Sequence, residues 1–150
     1  MLAALDSNTA LKVLGLSAGS AIFWSSLLGL FMMTPHLMPN ARSTLLKKVN
    51  FRHLLSAHLD WFMLAFMQGV AALLIFAFAL QPPVWVVIAL VFGGWMNAVP
   101  YFLRAFGVNA FVFGGGTGQR TAHIIGGVSV LAIISAWAAL LIMGWSAFLQ

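Results

Sequence analysis

An all-α integral membrane bundle of four transmembrane helices is the fold class this 150-residue chain predicts. Three observations predict it. The chain is 63% hydrophobic and 6% charged, a surface that a soluble domain of this size cannot solvate. Four apolar segments reach the length of about 20 residues that crossing a bilayer requires: Leu11–Met33, His53–Leu80, Pro83–Phe106 and Thr121–Phe148. Positive charge gathers in alternate connections, as it does in multi-pass proteins. No room remains for a soluble domain, so residues 1–150 read as one membrane domain, and any activity sits within or beside the bilayer.

Span one, "LKVLGLSAGSAIFWSSLLGLFMM", carries Ser17, Gly19, Ser20, Ser25 and Ser26, small residues that let helices approach closely. It is too long, and starts too far from any cluster of positive charge, to be a removable signal peptide. Pro35 and Pro39 should end it. The loop Thr34–Arg52 follows and holds most of the charge. Span two returns to span three through "QPP", Gln81–Pro83. In span three, Pro100 removes a backbone donor and frees the carbonyl of Met96. "NAFVFGGGTGQR", Asn109–Arg120, lacks the Lys-Ser/Thr of a phosphate-binding loop and reads as a flexible re-entry into span four. No internal repeat is visible, which disfavours a transporter built on inverted repeats.

The net charge of +5 is a topology signal rather than a nucleic-acid footprint. Arg42, Lys47, Lys48 and Arg52 lie in the first connection, and Arg104 and Arg120 flank the third. The positive-inside rule then puts both loops in the cytoplasm and both termini outside, with Lys12 dissenting. The expected location is a bacterial inner membrane. The chain has no cysteine, which removes thiol chemistry, disulfides and iron–sulfur clusters.

Polar residues within the spans are costly and therefore informative. At about 1.5 Å per residue, His58 lies roughly 9 Å beyond Arg52, and Asn97 roughly 10 Å before Arg104. Tyr101 is a turn shallower than Asn97, and His123 lies just beyond Arg120, so one layer is expected to hold them all. Asn97, Tyr101 and Arg104 follow an i, i+4, i+7 stripe, with Gly93 and Gly94 above it. His58 shares a face with Leu55, Phe62, Ala65 and Gly69. Asp60 lies about 200° round the same helix and should serve a separate purpose.

Each of these residues also has a plainer explanation. His58 is either a ligand or catalyst, or a hydrogen-bonding link between helices. Asp60 is a neutral carboxyl bonded locally, or a partner of His53, His123 or Arg104. Tyr101 is otherwise an interfacial anchor, although Asn97 one turn deeper makes that less sufficient. His36 and His53 sit at the loop boundary and should be solvated. No cluster offers three or four ligands, so a protein-only zinc or di-iron site is not expected. Haem needs one strong axial ligand, an apolar slot and basic groups for its propionates. His58 and Phe62 with Arg42, Lys47, Lys48, Arg52 and Arg104 permit it, without requiring it.

"LSAHL" at Leu55–Leu59 in the second of four spans, followed by "GGWMNAVPY" at Gly93–Tyr101 in the third, resembles the small membrane family of styrene oxide isomerase and hydroxylaminobenzene mutase. The resemblance implies haem b held between protomers of a homotrimer, with His58 as its iron ligand and Asn97 and Tyr101 orienting the substrate oxygen. The implied reaction rearranges an apolar aryl epoxide to an aldehyde without net redox change, ferric iron serving as a Lewis acid. The implied partners are the bilayer and a small aromatic substrate, with no nucleic acid. One departure stands out: the family's second-span asparagine is Leu64 here, and Gln68, a turn further on, is a candidate to supply the amide. Asp60 and Trp61 also replace the usual small residues. Three alternatives stay open: arylhydroxylamine mutase chemistry, a non-catalytic haem-binding protein, and a structural subunit of a larger complex.

Overall fold

The computed structural model describes residues 4–37, 48–109, 111 and 116–149. Five helices make four membrane-length spans: α1 (Ser7–Leu37), α2 (Phe51–Ala77), α3 (Val84–Met96) with α4 (Val99–Ala105), and α5 (Thr117–Phe148). The described residues contain no strand beyond an isolated bridge, Ala4 to Pro83. An all-α four-span bundle is therefore the architecture.

The distribution of side-chain size supports a lipid environment. The buried core is rich in alanine, with Ala10, Ala21, Ala57, Ala71, Ala98 and Ala136 fully enclosed. Beside a few buried leucines, many large apolar side chains face outward: Leu16 is 74% exposed, Phe76 70% and Leu131 69%. Water would penalise that outer shell heavily, whereas lipid tails solvate it, and small residues inside let helix backbones approach. α1 packs mainly on α2, α3 on α5, and α4 on α2.

The ends of the bundle are tied together. Leu5 N–H donates to the Pro82 carbonyl at 2.9 Å, joining the N-terminus to the α2–α3 turn. At the other end, Asn50 N–H donates to the Ala105 carbonyl at 2.9 Å, while its side chain caps the amides of Arg52 and His53. The α2–α3 turn closes with Leu80 N–H on the Ile75 carbonyl at 2.9 Å, a bond of the Schellman type. Ala79 adopts a φ of 47° there, in the left-handed region.

Several sequence-based boundaries shift. α1 begins at Ser7, four residues early, because Asp6 caps it by accepting from Thr9 N–H at 2.9 Å. These hydrogen bonds from Thr9 hold the Asp6 carboxyl below its ordinary pKa, so the cap weakens as pH falls through that lowered value. Pro35 does not end α1, which runs on to Leu37. The proline cannot donate to the Phe31 carbonyl, but the Thr34 hydroxyl does so at 2.7 Å, and the turn survives. α5 starts at Thr117 rather than Thr121, so the end of the glycine-rich loop is helical. Span three divides at Asn97–Ala98, with Pro100 in the first turn of α4. Arg42, Lys47 and Pro39 lie outside the described residues, as does the centre of the glycine-rich loop.

Candidate functional site

His58 turns towards α1. Its Nδ1 lies 2.7 Å from the Ser25 carbonyl and 3.0 Å from the Ser25 hydroxyl oxygen. The Ser25 hydroxyl spends its own proton on the His58 carbonyl, at 2.7 Å. A carbonyl only accepts, so the ring proton sits on Nδ1 and the lone pair on Nε2. Room for the ring comes from Gly29, one turn beyond Ser25, where a Cβ would stand 3.0 Å from His58 Cε1. Phe62 presents an edge contact to the imidazole at 5.0 Å. The ring is half-buried, and Leu55 on the same face of α2 is exposed. Nothing in the sequence singled out Ser25 or Gly29 as partners of His58, although their i, i+4 spacing places them on one face of span one.

Asp60 points the other way. Its carboxylate is 3.5 Å from the Asn97 amide nitrogen, a long contact, and the Asn97 carbonyl oxygen accepts from the Ser129 hydroxyl at 3.2 Å. Ser129 also reaches the Gly126 carbonyl, at 2.8 Å. α2, α3 and α5 thus meet around a polar trio inside the bundle. Of the partners considered for Asp60, His53, His123 and Arg104, none shares this contact; Asn97 does. Asp60→Asn keeps an acceptor towards Asn97 and lies away from the His58 face. It is expected to leave folding intact, measured by the circular dichroism spectrum and thermal midpoint of the purified protein.

The expected stripe crosses the α3–α4 junction, where Asn97 and Ala98 keep right-handed helical backbone angles. Asn97 ends α3 and engages α2 and α5, whereas Tyr101 and Arg104 belong to α4. Tyr101 packs on the Phe111 ring at 5.1 Å, and the Arg104 guanidinium lies 5.6 Å from the same ring. Arg52 is exposed in the first turn of α2, beyond its Asn50 cap. The structure therefore brings Asn97 to Asp60, and Tyr101 to Arg104, but does not bring either pair to His58 within one chain. His123 is exposed on α5, where it lines an open groove with Pro100 and Phe111.

Deeper in the bundle, Trp61 Nε1 donates to the Trp95 carbonyl at 3.1 Å, two residues before Asn97. Trp95 Nε1 donates to the Ser17 hydroxyl at 3.1 Å and ties α3 to α1. Gly93 and Gly94 serve two different neighbours. A Cβ at Gly93 would collide with Ile133 of α5, and one at Gly94 with the Gln68 amide of α2. Leu64 and Gln68, one turn apart on α2, line the same small cavity.

Against known protein families, curated proteins and solved structures, the chain gives no match.

Proposed function

We propose that the protein is a membrane-embedded haem b isomerase that rearranges an apolar aryl epoxide to an aldehyde. The observation that carries this reading is the hydrogen bond from His58 Nδ1 to the Ser25 carbonyl, which leaves Nε2 as an oriented lone-pair donor. Metal-ligating histidines commonly hold their other ring nitrogen in this way. The half-buried, aromatic-flanked setting of His58 fits a residue that would hold haem through one imidazole nitrogen in an apolar slot. Arg52 and Arg104 lie towards the loop-one end, where propionates would meet positive charge.

Ferric haem b supplies a Lewis acid when bound. The chain's own residues do the rest. His58 holds the group, Ser25 fixes the tautomer, and the bilayer keeps water from the reacting carbon. Tyr101 and Asn97 donate to the substrate oxygen as negative charge gathers on it. Within the substrate the benzylic C–O bond breaks and a hydride moves to the benzylic carbon from its neighbour, whose C–O bond becomes the carbonyl. No electron or proton leaves, so no general base is required. Because His58 faces α1 while Asn97 meets the opposite side of α2, a site using both takes them from neighbouring copies. That requirement agrees with the trimer implied by the resemblance.

A second reading has a specific observation in its favour. The Asn97 amide is already engaged with Ser129 and Asp60, which suits a haem-binding protein with no catalysis. Absorbance of the detergent-purified protein tests the shared part, and a missing Soret band removes both readings. Turnover of an aryl epoxide, and of an arylhydroxylamine for the mutase alternative, then separates enzyme from carrier.

The location proposed is a bacterial inner membrane with both termini outside the cytoplasm. The chain has no native cysteine, so single cysteines report cleanly. A cysteine at Gln119 is expected to resist an impermeant thiol reagent added to intact cells and to react after lysis. Labelling at Gln119 in intact cells would reverse the orientation.

A further inference from the structure

Gln68 carries a primary amide into the membrane-spanning interior, where it is 1% exposed. Neither its Nε2 nor its Oε1 has a hydrogen-bond partner among the described residues, and the same holds for the buried Trp137 Nε1. Gln68 of α2 and Trp137 of α5 line one small cavity with Gly94 of α3. Leu64, Leu90 and Ile133 make its remaining walls apolar. Absence of a side chain at Gly94 is what admits the amide, since a Cβ there would collide with it. Buried polar atoms are nearly always satisfied in folded proteins, and three orphaned atoms at one cavity point to an occupant.

The chemistry of the three atoms defines that occupant. Trp137 Nε1–H and Gln68 Nε2–H donate, so it must accept; Gln68 Oε1 accepts, so it must also donate. The cavity measures about 10 Å³, close to the roughly 10–15 Å³ that one water needs. An acyl chain or an aromatic substrate is too large, and a dissolved gas has no donor for Gln68 Oε1. We propose that this cavity binds a single water molecule, held between the Gln68 amide and the Trp137 indole. The water bridges α2 to α5 beside Gly94 and sets their register, as interhelical polar contacts do in bilayers. This site is independent of the haem reading.

The test uses the full chain labelled with ¹⁵N-tryptophan in lipid nanodiscs, with the Trp137 indole signal assigned through Trp137→Phe. A dipolar water cross-peak is expected at the Trp137 indole proton and not at that of Trp61, which donates to the Trp95 carbonyl. In Gln68→Leu, which fills the space without an amide, the Trp137 cross-peak should be lost. Gln68→Met makes the same comparison if the leucine variant does not fold. The proposal is overturned if the wild type shows no water cross-peak at Trp137, or a lipid acyl cross-peak in its place. It is equally overturned if the water signal persists undiminished without the Gln68 amide.

Discussion

On the haem reading proposed above, His58→Ala is expected to fold, insert and bind haem b at least about 100-fold more weakly than the wild type. The scale follows from what surrounds metal-bound histidines: outer hydrogen-bond partners alone change affinity by about 10–100-fold, and the ligand itself counts for no less. Folding should survive because the ring is half-buried at the α1–α2 seam rather than in the core. α1 still meets α2 through the alanine contacts of Ala18, Ala21 and Ala65. The measurement is Soret absorbance per chain after purification, alongside an unchanged far-UV circular dichroism spectrum. His123→Ala is the control, expected to keep its full Soret band. A full band in His58→Ala would assign the iron ligand elsewhere, and loss of the band in His123→Ala would do the same.

Much of the fold was legible because bilayer thickness imposes it. Apolar length located all four spans, and "QPP" marked the turn between the second and the third. The errors cluster at the ends, where local hydrogen bonds act. Asp6 extends α1 at its start, and Thr34 carries it past Pro35 by supplying the donor the proline lacks. Hydropathy sees neither effect, since both depend on one side chain meeting one backbone group.

The neighbours of the candidate residues were only partly legible. Angular spacing along α2 correctly set His58 and Asp60 on different faces, and His58 beside Phe62. It could not say which helix each face meets. Helical spacing also joined Asn97 to Tyr101 in one stripe, and Asn97 and Ala98 keep helical backbone angles across the α3–α4 junction, but spacing did not reveal that Asn97 engages Asp60 and Ser129. Ser25 read as a small residue for close packing, which it is; its carbonyl and hydroxyl also fix the histidine tautomer. A periodic pattern carries no record of a partner on another helix.

Tyr101→Phe separates the catalytic reading from the interfacial one most sharply. The change deletes one hydroxyl and keeps the ring, whose contact with Phe111 at 5.1 Å is thereby preserved. No hydrogen bond of that hydroxyl occurs among the described residues, so the fold loses little when it goes. If the hydroxyl donates to the substrate oxygen, its contribution grows only as the benzylic C–O bond breaks and charge collects on oxygen. Its removal should then lower turnover by roughly 10²–10³-fold, the usual scale for one such donor. KM, haem content and thermal midpoint are expected to stay near wild type, because none depends on the developing charge. An interfacial anchor predicts the opposite pattern: unchanged turnover per haem, with any effect confined to membrane insertion. Rates are measured with an aryl epoxide and, in parallel, with an arylhydroxylamine. Near-normal turnover of whichever substrate the wild type consumes would remove Tyr101 from the reaction and leave its hydroxyl an interfacial group.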